Sequence, residues 1–209
     1  MNQYPPDRAL FDEPAGLYAR RTVTAAAPIP GRGTRSSAWL LAPLLALAAV
    51  SLTLGLIARS TEPGPSSYLR LFFSDTIHMK VWLASAAAVL GVFQIFSAAW
   101  IFRKLPWSRP RWINTAHRIS GAAALVLTLP VAYHCIFNLG FQDATARVLA
   151  HSLLGCLFFG AFAAKVLIVE LHRFPRWVLP TAGGLLFAVL IAVWYTSALW
   201  FFRLVDVGL

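Results

Sequence analysis

Five separate runs of this chain are each apolar over about 20 residues or more, the length a helix needs to cross a bilayer at a rise of about 1.5 Å per residue. They cover residues 37–57, 77–102, 112–139, 148–171 and 177–202. Composition agrees: 58% of the residues are hydrophobic and 12% are charged, against about 25% charged in a soluble domain. The expected fold is an all-α integral membrane protein, a bundle of five transmembrane helices in the lipid bilayer. The net charge of +10 does not point to nucleic acid, because no basic soluble domain is present to hold it.

Residues 1–36 differ from the rest. They are rich in Pro and Arg and carry no helical period, as in "YPPDRALFDEP". They read as a disordered tail, which leaves residues 37–209 as the membrane domain. The first apolar run is longer than a signal-peptide core, and no small-residue cleavage site follows it in "LIARSTEP", so it is expected to be retained.

Lys and Arg set the expected orientation. Arg8, Arg20, Arg21, Arg32 and Arg35 precede the first helix; Arg103, Lys104, Arg109 and Arg111 follow the second; Arg173 and Arg176 follow the fourth. The opposite side has Arg59, Arg70, Arg147 and Arg203. The richer side is cytoplasmic, which puts the N-terminus inside and the C-terminus outside. Trp194, Tyr195 and Trp200 then fall in an outer aromatic belt. The expected location is the cell's inner (plasma) membrane, crossed several times.

The five histidines all fall in or at the ends of these helices. An ionisable ring inside a membrane segment is costly and marks a functional site by default. His78, His134 and His151 come from three different helices, yet each lies about one turn, roughly 5–6 Å, inside the outer boundary. His117 lies about one turn inside the cytoplasmic boundary, and His172 is at the cytoplasmic end of the fourth helix. His117 and His134 bracket "HRISGAAALVLTLPVAYH", 17 positions apart, or about 25 Å of helix. The fourth helix repeats the arrangement with His151 and His172. Two levels of imidazole suggest a transfer path across the membrane.

Several ligands fit such a set. Zinc wants four ligands from Cys, His and carboxylate, and no carboxylate lies at the right depth. Copper accepts imidazole beside sulfur, as in His78-Met79 and His134-Cys135. Haem iron needs axial imidazoles and an apolar slot. The CxxCH attachment pattern is absent, so a haem would be the non-covalent b type. Glycine follows a histidine at i+4 twice, Gly121 after His117 and Gly155 after His151. That spacing puts each glycine on its histidine's own face, where a flat macrocycle could approach. Close helix packing uses small residues in the same way.

The remaining polar residues have plainer readings. Lys165 either neutralises a haem propionate or snorkels toward the cytoplasm. Arg118 faces propionates or lipid phosphates. Gln94, on the face of its helix opposite His78, receives no role. Pro130 kinks the third helix. Cys135 and Cys156 are buried thiols. No nucleophile–base pair, phosphate loop or hydrolase motif is present, so no catalytic residue is assigned.

The phrases "HRISG", "LPVAYHC" and "AHSLLGC" resemble the cytochrome b561-like group of membrane haem proteins. They also look like a small uncharacterised family of bacterial five-helix membrane proteins. The resemblance covers the second to fifth helices. It implies four core helices with one ligand each, the first and third clamping one haem and the second and fourth another. Carried over, His78 pairs with His151 on the outer side, with His134 as the alternative partner. His117 matches the inner ligand, but the fifth helix has no histidine, which moves its partner to His172. The resemblance implies a membrane b-type cytochrome with one or two haem b groups, bis-histidine ligation and electron transfer within or across the membrane. A redox partner protein or quinone, and a place as a subunit of a larger membrane oxidoreductase, go with that reading. The alternative is a non-redox integral subunit, or an assembly or copper-handling factor.

Overall fold

The structure, a computed structural model, describes residues 40–64 and 69–206. The expected tail and its disorder lie outside those residues. Among the described residues every regular element is helical. The helices are α1 (Ala42–Ser60), α2 (Thr76–Ile101), α3 (Ile113–Tyr133), α4 (Ala146–Leu171), α5 (Val178–Trp194) and α6 (Trp200–Asp206). A π-helical segment, His134–Leu139, continues α3, and a second, Tyr195–Leu199, joins α5 to α6. This makes five helices long and apolar enough to cross a membrane, so the chain is built as a multi-pass membrane protein.

Local chemistry explains the helix ends. Asp75 caps α2, its carboxylate accepting the His78 backbone N–H at 2.8 Å. Thr145 caps α4 by accepting from the Val148 N–H at 3.3 Å. Pro43 opens α1, where its missing N–H costs nothing. Pro130 sits inside α3 and removes a backbone donor. The helix widens to π geometry four residues later, an adjustment that re-satisfies backbone groups in membrane helices.

The packing order differs from the chain order. α1 packs on α4, α4 on α5, α5 on α2 and α2 on α3, and the π-helical end of α3 returns to α1. At the α1–α4 seam a side chain at Gly160 would collide with the Ser51 hydroxyl and the Leu47 carbonyl, so backbones approach closely there. Phe158 and Ala161 of α4 pack with Leu186, Val189 and Leu190 of α5 in the buried core. Leu44, Leu52, Leu56, Val89, Val126 and Leu185 point outward, as a surface bathed in lipid tails allows. The ring closes at the end bearing His151. There the Phe141 N–H donates to the Ala58 carbonyl at 2.8 Å and the Gly64 N–H to the Asn138 carbonyl at 3.2 Å. Gly140 takes φ 69° at this crossing, and a Cβ on it would stand 2.6 Å from the Thr61 carbonyl oxygen. Only glycine meets both conditions.

Candidate functional site

A cavity of about 430 Å³ lies inside the ring toward the His151 end, within the ~300–1,000 Å³ range of small-molecule and cofactor sites. Its walls are mainly apolar. Val81 and Ala84 come from α2, Thr128 and Ala132 from α3, Gly155 and Phe159 from α4, and Leu190 and Trp194 from α5. Both π-helical segments border it, through Cys135 and Ile136 on one side and Ser197 and Ala198 on the other. Segments of this kind recur at functional sites because they re-aim side chains that an α-helix would space differently. The loop after α3 is pinned beside it, the Ser152 hydroxyl donating to the Gln142 carbonyl at 2.9 Å and accepting its N–H at 3.3 Å.

Among the described residues, three basic side chains reach this cavity: His151, Lys80 and Arg147. His151 is held by Thr196 of the second π-helical segment, Nδ1 to Oγ1 3.1 Å. The Thr196 hydroxyl has one proton, and it goes to the Ala192 and Val193 carbonyls at 2.9 and 3.0 Å. In the tautomer with Nδ1–H donating to Thr196 Oγ1, Nε2 keeps its lone pair. An imidazole in this state is ready to bind a metal. Arg147 donates from Nη1 to the Thr196 carbonyl at 2.7 Å, and its guanidinium lies 3.9 Å from the centre of the Trp200 ring. His151 is four residues further into α4, about 6 Å deeper. Lys80, four residues after the start of α2, completes a cationic level at that end.

Sequence reasoning overlooked Lys80 and left Arg147 in a loop. The available signal was a cation two residues after His78 in an otherwise apolar span, which by cost alone marks a site. Thr196 carried no signal, because its role depends on the fold of the second π-helical segment.

The other histidines do not line this cavity. His78 points to its own helix cap, Nδ1 2.5 Å from the Asp75 carboxylate, with its ring edge-on to Phe201. The same contacts hold the Asp75 carboxyl down to about 2, first through the His78 backbone N–H and then through its ring. His134 is 2% exposed and packed in the bundle, one residue away from the cavity-lining Cys135.

At the opposite end, His117 has its own network. Its Nδ1 lies 2.8 Å from the Ser97 hydroxyl, which donates to the Gln94 carbonyl at 3.2 Å. The Gln94 amide donates to the His117 carbonyl at 2.6 Å and to Ser120 Oγ at 2.7 Å. Gln94, expected to have no role, thus ties α2 to α3. A Cβ on Gly121 would sit 3.2 Å from Gln94 Oε1. The space expected for a macrocycle over Gly121 is therefore occupied by Gln94. At Gly155 nothing lies within 4 Å of an added Cβ, so there the space is real. Lys165 is within electrostatic reach of His117. Arg118 is exposed and borders a separate groove with Thr115, Ile119 and Ala122. His172 leaves the helix with φ 49° and is exposed, its Nδ1 2.6 Å from the Glu170 carbonyl. Cys135 and Cys156 are free thiols. Among the described residues no three His, Cys, Asp or Glu side chains converge as a metal site.

A family model described as "Family of unknown function (DUF6529)" matches residues 40–209. The chain belongs to this family. No curated protein and no solved structure matches it. The likeness to the cytochrome b561 group drawn from the histidine motifs thus gains no support from the comparisons. The matched region of this DUF6529 chain takes in all five spans and every residue of the cavity.

Proposed function

We propose that this protein is a membrane b-type haem protein, in which His151 would hold the cofactor in the cavity at its end of the bundle. The observation that carries this reading is the pairing of His151 Nδ1 with Thr196 at the wall of an apolar cavity bounded by Gly155. One imidazole is enough to hold a haem iron, whereas a copper site draws on several imidazole and sulfur donors. Lys80 and Arg147 would neutralise the two acidic side arms, and the apolar walls would shield the ring from water. Bound there, the haem would supply one-electron redox chemistry. On the positive-inside balance of Lys and Arg, the His117 end would face the cytoplasm and the cavity would lie toward the outer face of the plasma membrane. The electrons would then be exchanged with a redox protein or quinone, or within a larger membrane complex.

Purified protein should be coloured and give a reduced-minus-oxidised haem spectrum. Replacing both cations, as in Lys80→Gln with Arg147→Gln, should weaken haem retention without unfolding the bundle. Colourless protein after expression with added haem precursor would remove this reading and favour a non-redox membrane subunit.

A further inference from the structure

The face of α4 that carries His151 ends in a cation. His151, Gly155, Phe158, Phe162 and Lys165 follow one another at i, i+4, i+7, i+11 and i+14, the spacing of a single helical stripe. Lys165 therefore faces the inside of the ring as His151 does, about 21 Å away along the axis. It lies six residues before the end of α4 at Leu171, about 9 Å inside the span, and is half-buried. His117, four residues into α3, is its electrostatic neighbour.

A cation at this depth is costly and calls for an anion. Among the described residues the ion pairs are Arg59–Asp143 and His78–Asp75, both at the far end of the bundle. The one acidic side chain described at the His117 end is Glu170, which is exposed. It stands five residues after Lys165, about 140° round the helix. The packing leaves a way in from the side. α1 packs on α4, and it meets the third span through the π-helical segment at the other end. At the His117 end the seam between α1 and α3 thus opens to lipid. Arg103, Lys104, Arg109, Arg111, Arg173 and Arg176 lie in the loops at this end, and such clusters attract anionic lipids.

We infer that Lys165 binds the phosphate of an anionic phospholipid, whose headgroup enters between α1 and α3 and whose chains stay in the seam. Basic pockets between membrane helices hold headgroups of this kind. A lipid fits better than a free phosphate ion, because the approach to Lys165 runs along hydrocarbon and the stripe beside it, Phe158 and Phe162, is aromatic. The site is separate from the cavity at His151 and does not rest on the haem reading.

The test uses the full-length protein in detergent, supplied with equal amounts of phosphatidylglycerol and phosphatidylcholine and read by native mass spectrometry. One phosphatidylglycerol should stay bound under conditions that strip phosphatidylcholine. Lys165→Gln should cut that retention about fivefold or more, the worth of one cation against anionic lipid. Lys165→Arg should keep it. Arg118→Gln, which removes an exposed cation from another face of α3, should leave it unchanged. Unfolding midpoints in phosphatidylcholine alone show whether the variants fold. A comparison on the parent protein needs no variant: phosphatidylglycerol should raise its midpoint, and inorganic phosphate should not. Equal retention of the two lipids, or retention unchanged in a folded Lys165→Gln, overturns the inference and leaves Lys165 a snorkelling side chain. Displacement of the lipid by inorganic phosphate overturns it too, in favour of a free anion. Haem content enters none of these readouts.

Discussion

The two ends of the bundle carry the same local pattern and use it differently. "HRISG" and "HSLLG" each place a glycine four residues after a histidine. In each, a hydroxyl fixes the imidazole through Nδ1, Ser97 for His117 and Thr196 for His151. In the tautomer with Nδ1–H donating to the hydroxyl, each histidine keeps its Nε2 lone pair. The difference lies in what stands over the glycine. Gln94 fills the space at Gly121, and a cavity opens at Gly155. A histidine with a free lone pair becomes a ligand site only where neighbouring helices leave room for a ligand. The His117 end is a polar clasp between α2 and α3, and the His151 end is a receptacle.

The largest expected effect breaks the comparison at the histidines themselves. His151→Ala should abolish haem retention in a folded protein, while His117→Ala should retain it, as measured by haem-to-protein ratio after purification. Equal loss in both variants would show that the two ends are alike and revive the two-site wire. Next come the glycines. Gly155→Leu should fill the receptacle and exclude the cofactor while the thermal unfolding midpoint holds. Gly121→Ala should leave the haem content alone and change stability by less than about 1 kcal/mol, because the Gln94 side chain need give only slightly while alanine favours the helix.

Smaller effects follow from the hydroxyls. Thr196→Val removes the acceptor that orients His151, and haem affinity should fall about 10–100-fold, the usual cost of losing an outer-shell partner. Titration of the apoprotein with haem measures it. Ser97→Ala should leave that titration unchanged and cost about 1–3 kcal/mol of stability, since His117 loses its partner in the bundle. The smallest effect is at the α2 cap. Asp75 has its carboxyl lowered from 3.8 to about 2. A depressed carboxyl stabilises the fold above its unfolded value and loses that contribution as pH falls through its folded value. Asp75→Asn keeps a capping oxygen, so it should flatten the pH dependence of unfolding between 3.8 and about 2. Unfolding midpoints across that range test it.

The five spans were already legible in the sequence, because burial in hydrocarbon demands long apolar runs with internally satisfied backbones. The span starting at Thr76 and the one ending at Leu171 fall within a residue or two of the sequence reading. The sequence also placed His151 and Gly155 on one face, since that follows from helical period alone. Tertiary structure decided the rest. Depth along a helix puts His78, His134 and His151 near one level, but rotation about each axis and the packing order decide which of them meets the cavity. Rotation at His134 depends on the π-helical segment beyond Pro130, and the hold on His151 depends on the one that carries Thr196. A single extra residue per turn shifts every following side chain by about 100°, and no local signal in an apolar run announces it. Gln94 went unseen for the same reason. Its facing relative to His78 was legible within α2, but its value comes from α3, and only the packed pair brings the amide to the His117 carbonyl.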